Sequence, residues 1–371
     1  MKFLKPTFIL LFAINIYFIS AINASTKEPF KIVTIASKLN HPWGMAFLPN
    51  GDILITQRPG QLRIVRNGIL DPHPISGLPS NIVARGQGGL LDVALHPQYK
   101  KNGWIYLSFS AKGAGGIGTE VARGKLVGNR FTSVEKIFVL QPKSRAGQHF
   151  GSRMVFDNDN HIYISVGDRG DRPRVQNIDD PAGSIIRLKD DGSLVKDNRW
   201  YSRNSDAKMV YSYGHRNPQG MFFDSKTNTL WEHEHGPRGG DELNIIHKGK
   251  NYGWPVISHG VEYVSRFKIG EGNHKKGMEQ PIHYWVPSIA PSGMTVYRGD
   301  KFPDWDGDIL IGALKYQLLV RLKMDGTKVL KEERYLEQKI GRIRDVRTGP
   351  DGYIYLLTDK RDGQLVRLEP R

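Results

Sequence analysis

Residues 44–56 read GMAFLPNGDILIT: an apolar run, a Pro-Asn-Gly-Asp turn and a second apolar run. A polar turn of this kind between β-branched and aromatic runs is a β-hairpin signal. The same phrase returns as LDVALHPQYKKNGWIYLSFS (91–110), RMVFDNDNHIYISVGD (153–168) and GMFFDSKTNTLWEHEHG (220–236). It comes again as GMTVYRGDKFPDWDGDILIGAL (293–314) and DVRTGPDGYIYLLTD (345–359). A shorter phrase follows each hairpin: GQLRIVRNG (60–68), VARGKLVGN (121–129), GSIIRLKDDG (183–192), DELNIIHKGK (241–250), LLVRLKMDG (318–326) and QLVRLEP (364–370). Each is a short alternating strand carrying Lys or Arg, usually ending in a turn. Two phrases in the same order, six times over, make six units of strand–turn–strand followed by an outer strand. Units of roughly four strands repeated radially form a β-propeller. The expected fold is therefore all-β, a six-bladed β-propeller of four-stranded antiparallel blades. A two-sheet sandwich would explain the strands but not the sixfold recurrence.

The composition is ordinary for a globular chain, with 39% hydrophobic and 24% charged residues among 371. Its opening, MKFLKPTFILLFAINIYFISAINA, has two Lys, an apolar run from Phe8 to Ile19 and small residues near Ala21 and Ala24. That run is too short to cross a bilayer, so residues 1–24 read as a secretory signal peptide, cleaved after Ala24. No later run is long enough to span. A periplasmic or secreted protein is expected, and no composition break divides residues 25–371, which read as one domain. Cys is absent, which removes thiolate chemistry and Cys-ligated zinc or iron–sulfur centres. The net charge of +16 favours anionic partners. The Lys and Arg are spread without a basic run or a nucleic-acid motif, so no nucleic-acid partner is expected. Most of this charge reads as solvated surface, with a few cations kept for an anionic ligand.

Loops from all blades of a propeller meet at the mouth of one channel, so polar residues at inner-strand ends are the candidates for chemistry. His149 lies just before the third unit's first strand, and Asp168 ends that unit's second strand. The start of one hairpin strand neighbours the end of the next, so Asp168 can reach His149. A carboxylate on one imidazole nitrogen makes the other a better general base; the plain alternative is a surface His and a turn Asp. GHRNPQG (214–220) sets Arg216, Asn217 and Gln219 before the fourth unit, as a pocket lining or an Asn-Pro turn. Arg342 and Arg344, two apart, share a face before the sixth unit. With Lys315 they would gather three positive charges around something anionic; otherwise they line an exposed basic strand. Gln87 sits among glycines in GQGG, where backbone can approach a ligand closely or turn.

WEHEHGPRGGDE (231–242) is dense in ligand types. Zinc proteases place His-Glu-x-x-His on a helix, whereas this His-Glu-His order lies in a strand, so zinc is not expected. Asp241, Glu242 and the carbonyls of Gly236 and Pro237 offer oxygen, which suits calcium.

Eight segments in order resemble the soluble quinoprotein aldose sugar dehydrogenases of the glucose/sorbosone dehydrogenase family. They are HPWGMAFLPNGDILIT, GQGGLLDVALHP, HFGSRMVFD with IYISVGDRG, GHRNPQG, HGPRGGDELN, GKNYGWP, PSIAPSG and RIRDV, spread over roughly residues 30 to 370. The resemblance implies a six-bladed propeller that uses pyrroloquinoline quinone (PQQ) and calcium to oxidise aldoses at C1 to lactones. It implies that Lys315, Arg342 and Arg344 pair with the three quinone carboxylates, and that Asn217 and Gln219 line the cofactor. Gly236 and Pro237 would hold calcium through their carbonyls, with Asp241 and Glu242 ordering the loop. His149 would take the proton of the anomeric hydroxyl, oriented by Asp168, as hydride leaves C1 for the quinone. Gln87 would sit beside the sugar hydroxyl and Arg216 would stabilise negative charge on the reduced cofactor. An external acceptor would take the electrons. Gln148 stands where the glucose-specific branch has Asp, which weakens the expectation of strict glucose specificity. Tyr263, Tyr284 and Trp285 are candidate sugar platforms, at least one of them instead packing in the core. Two other readings are a calcium-dependent lactonase, which would have no use for the three cations together, and a non-catalytic sugar- or protein-binding propeller, which would tolerate loss of His149.

Overall fold

The computed structural model describes residues 28–371; the expected signal peptide lies outside them. Six four-stranded antiparallel sheets are stacked around one axis. Blade one is Pro42–Phe47, Ile53–Gln57, Gln61–Arg66 and Ile69–Leu70, from the axis outward. Blades two to five begin on Leu90–Leu95, Met154–Phe156, Pro218–Asp224 and Pro291–Val296. Blade six takes Ile343–Thr348, Ile354–Thr358 and Gly363–Pro370 from the C-terminal end, and its outermost strand, Phe30–Leu39, from the N-terminal end. Neighbouring inner strands touch all the way round, the last against the first, so the ring is closed. Among the described residues no helix is long and apolar enough to cross a membrane.

Each hairpin phrase forms the first two strands of a blade and each shorter phrase the third. The fourth strands escape the repeat. Ile69–Leu70 and His283–Trp285 are only two and three residues long, and blade six borrows its own across the chain. The third strands read as outer strands in the sequence are therefore covered by one more. Apolar side chains of adjoining sheets interdigitate between blades, as where Leu54, Leu62 and Ile64 of blade one share a cluster with Val93, Leu107 and Phe131 of blade two.

Two features of the inner strands prepare a site. In five blades the register slips near the strand's start, at Pro42/Met45, Leu90/Val93, Pro218/Gly220, Pro291/Met294 and Ile343/Asp345. Bulges of this kind re-aim side chains beside functional sites. Midway down the axis Arg153 Nη1 lies 3.0 Å from both Asp92 Oδ1 and Asp345 Oδ1, while Arg347 reaches Asp92 Oδ1 and Asp345 Oδ2 at 3.1 Å. This ion quartet joins three blades and plugs the channel. Below it the strands' far ends form an apolar hollow walled by Phe47, Leu95, Phe156, Phe222 and Phe223. Above it lie the polar strand ends.

Candidate active site

The upper mouth is built from two recurring places: the residues just before a first strand and those just after a second strand. His41, Gln87, His149, Arg216 and Arg342 occupy the first place; Arg58, Asp168, His235, Lys315 and Asp359 occupy the second. Hairpin geometry sets the two side by side in every blade, so residues far apart in the chain converge.

In blade three the pairing is direct. His149 Nδ1 and Asp168 Oδ1 are 2.6 Å apart, with Asp168 buried and His149 nearly so. Asp168 Oδ1 also accepts the Gly170 N–H at 2.6 Å. Burial pushes the Asp168 carboxyl up, but hydrogen bonding to His149 and Gly170 and the charge of Arg216 together hold it below its ordinary value. Burial lowers the His149 pKa, and Arg216 and Arg169 add to this against the opposing pull of Asp168. The imidazole is thus poised neutral, with Nδ1 engaged and Nε2 left over. Its backbone is left-handed at φ 53° and is held in place. Gln87 Oε1 accepts the His149 N–H at 2.8 Å, and Arg169 donates to the carbonyls of Gln148 and Ala146. Any side chain at Gly167 would collide with the His149 carbonyl, its Cβ falling 2.2 Å from that oxygen. Gln87 is therefore a support for the His149 backbone as well as a wall residue, with its amide N–H groups and one lone pair of Oε1 left to meet a hydroxyl.

Beside this pair is a chamber of about 350 Å³, whose walls include Gln87, Gln148, His149, Arg172, Trp254 and Tyr263. Arg172, on its wall, forms a two-pronged ion pair with Glu262, at 2.5 and 3.0 Å. Gln87 also lines a second, larger cavity of about 620 Å³. Its floor and sides carry Trp43, Leu91, Phe150 and Leu314, with Asn217 and Gln219 between them. Its charged lining is lopsided: Arg58, Lys315, Arg342, Arg344, Lys360 and Arg361 against the single carboxylate of Asp359. Asp359 receives Arg344 at 2.7 Å, Arg342 at 3.4 Å and His41 at 3.1 Å. Burial raises the Asp359 carboxyl, but the Arg344 charge and hydrogen bond hold it well below the usual range. Lys315 is exposed, with Nζ 4.9 Å from the Tyr316 ring and no carboxylate partner among the described residues. Arg344 also donates to Gln219 Oε1 at 3.3 Å.

Gly236 and Pro237 do not line the larger cavity. They border a small void next to it, with Arg216 and Trp254. Arg216 Nη1 donates to the carbonyls of His235 and Gly236 at 3.0 and 2.8 Å. The Pro237 carbonyl accepts no hydrogen bond among the described residues, and one lone pair of the Gly236 oxygen stays open. Asp241 shapes this loop: Oδ1 accepts the Gly236 N–H at 2.9 Å, and Oδ2 accepts Ser288 Oγ and the N–H groups of Ile289 and Ala290. Glu242 makes no such contact with the loop; it pairs across the sheet with Glu234. Of the three aromatic candidates only Tyr263 reaches the mouth. Trp285 is buried on the outermost strand of blade four, donating to Glu332 at 2.8 Å, and Tyr284 stacks on His259 beside it. Their position at the rim of the molecule rules out a platform on the channel.

The model of the glucose/sorbosone dehydrogenases matches residues 39–367 of this chain. The chain belongs to that family. It is 45% identical to the aldose sugar dehydrogenase YliI of Escherichia coli strain K12, over 92% of this chain and 93% of that one. Among solved structures, the soluble aldose sugar dehydrogenase of Escherichia coli in its apo-form superposes with a TM-score of 0.88 at 44% identity, covering 92% of this chain and all of the other. The PQQ-bound aldose sugar dehydrogenase of Streptomyces coelicolor superposes with a TM-score of 0.75 at 28% identity, covering 92% and 98%. For this member of the family, motif reading of the sequence missed Asp359, His41, Arg58, Arg172 and Trp254 at the mouth. His41, Arg58 and Asp359 carried a positional signal, standing just before a first strand or just after a second one as His149 and Asp168 do; Arg172 and Trp254 carried none.

Proposed function

We propose that this protein oxidises aldose sugars at C1 to lactones with PQQ as hydride acceptor and calcium as a Lewis acid. The observation that carries the reading is the large cavity with six cations and one carboxylate in its walls, adjoining a buried His–Asp pair. A planar quinone bearing three carboxylates meets both demands of that cavity, apolar surface for its rings and positive charge for its rim. Lys315, Arg342 and Arg344 bind the carboxylates, and Asn217 and Gln219 line the ring edge. The Gly236 and Pro237 carbonyls hold the calcium; they are hard oxygen donors with lone pairs to spare. Bound there, the quinone would supply the hydride acceptor and the metal would supply Lewis-acid activation of it.

The chain's own residues do the rest. The sugar sits in the smaller chamber with its anomeric hydroxyl on His149 Nε2, which removes that proton. Asp168 carries the charge that the imidazole acquires. Arg216, 5.3 Å above the Trp254 ring, stabilises negative charge developing on the quinone side. Tyr263 and Arg172 bound the chamber, and Gln148 in place of a carboxylate suits several aldoses rather than glucose alone. An external acceptor removes the electrons, and the site of action is the periplasm or the cell exterior.

The deciding experiment adds PQQ and calcium to purified apo-protein and follows dye reduction with a panel of aldoses, beside His149→Ala. Activity that requires both additions, with a loss of about 10²–10⁴-fold in the variant, is expected. Absence of quinone uptake would overturn the reading and favour lactone hydrolysis or plain ligand binding.

A further inference from the structure

Trp254 closes the back of the site. Its backbone N–H donates to the Gly214 carbonyl at 2.9 Å, and its own carbonyl accepts Gln176 Nε2 at 2.7 Å. The indole is 5% exposed and forms a common wall, with the sugar chamber on one side and the void beside Gly236 and Pro237 on the other. The guanidinium carbons of Arg172 and Arg216 lie 5.1 and 5.3 Å from its ring. Its Nε1–H points at neither space. It donates to Asp168 Oδ2 at 2.9 Å, in the interior.

The consequence lies in how a carboxylate turns. Asp168 Oδ1 is engaged by His149 Nδ1 and the Gly170 N–H. Were Oδ2 free, the group could rotate about its last bond and exchange oxygens, and the imidazole would follow. The indole donor on Oδ2 adds a third hydrogen bond to this charged group that rotation must break, worth about 1.5–3 kcal/mol. We propose that Trp254 is a positioning residue, whose indole N–H locks the Asp168 carboxylate so that His149 stays in the one tautomer and orientation that a base requires. This rests on the reading of His149 as the base. The chain Trp254–Asp168–His149 thus runs from the loop after blade four's third strand, through blade three, to the sugar chamber.

The test is a nuclear magnetic resonance titration of the His149 ring in apo-protein, run alongside kinetics of the reconstituted enzyme. Trp254→Phe keeps a ring and removes the N–H. Trp254→3-benzothienylalanine replaces N–H by sulfur at nearly constant shape, should the smaller ring fail to support folding. Arg169, Arg216 and His235 also face His149 and are unchanged in both variants. With its charge no longer shared with the indole, Asp168 should hold the imidazolium more strongly. His149 is expected to titrate higher by roughly half a unit to one unit, and kcat to fall about tenfold with KM little changed. In an Asp168→Asn background the same changes at Trp254 should do neither. An unaltered titration, or an equal effect in the Asp168→Asn background, would overturn the inference. A shifted titration in a protein that never turns over aldoses would support the anchoring and overturn the dehydrogenase reading instead.

Discussion

At the scale of single residues, the site depends on how burial and neighbouring charge divide the work between His149 and Asp168. Burial and the Arg216 charge keep the imidazole neutral below its ordinary range. A base works only in its neutral form, so the acidic limb of kcat/KM should fall below pH ~6.5, the usual histidine value; a limb above pH 7 would contradict this. Of the three cations assigned to the quinone carboxylates, Lys315 has no carboxylate partner among the described residues, whereas Arg342 and Arg344 already share Asp359. Lys315→Met should therefore weaken quinone uptake about tenfold without affecting the folded state, read by calorimetry of PQQ binding; unchanged affinity would place the carboxylates elsewhere. The His149–Asp168 contact was legible because it is local to one hairpin. Trp254 was not, since its partner lies 86 positions away in another blade.

At the scale of elements, the hairpins were legible because a polar turn between apolar runs encodes itself locally. The fourth strands were not: blade five's, Lys328–Tyr335, is largely charged and mostly solvated, so alternation carries little signal there. Yet these strands tie neighbouring blades together. Glu332 on that strand accepts Trp285 Nε1 at 2.8 Å and lies 3.1 Å from His283 Nε2, both on blade four. Burial raises its pKa, but hydrogen bonds from His283, Arg334 and Trp285 bring it down to about 2. A depressed carboxyl stabilises the fold above its unfolded value near 4.5 and loses that contribution as pH falls toward about 2. Glu332→Leu should accordingly cost about 1–3 kcal/mol at pH 7. The deficit should shrink between pH 4.5 and the low end of the folded range, as measured by denaturant melts of both proteins. A deficit constant with pH would mean that the loss is one of packing rather than charge.

At the scale of the whole molecule, the ring is held at its axis by Arg153, Asp92, Asp345 and Arg347, and at its seam by the N-terminal strand completing blade six. Arg153 is 1% exposed, and removing it leaves two carboxylates facing each other with only Arg347 between them. Arg153→Met is expected to destabilise the protein by about 3–5 kcal/mol, seen as a lowered melting temperature; a loss below about 1 kcal/mol would show that the quartet is dispensable. The sequence by itself determined the number of blades and the hairpins and set Asp168 within reach of His149, because a repeated local pattern needs no knowledge of what packs beside it. Only the tertiary structure decided that Asp359 neutralises two of the cavity's arginines, that Arg172 reaches across to Glu262, that Trp254 anchors Asp168 and that Trp285 packs at the rim. The last three join different blades and follow from ring closure; the first lies within blade six, where the strand bulge at Ile343/Asp345 brings both arginines onto one carboxylate.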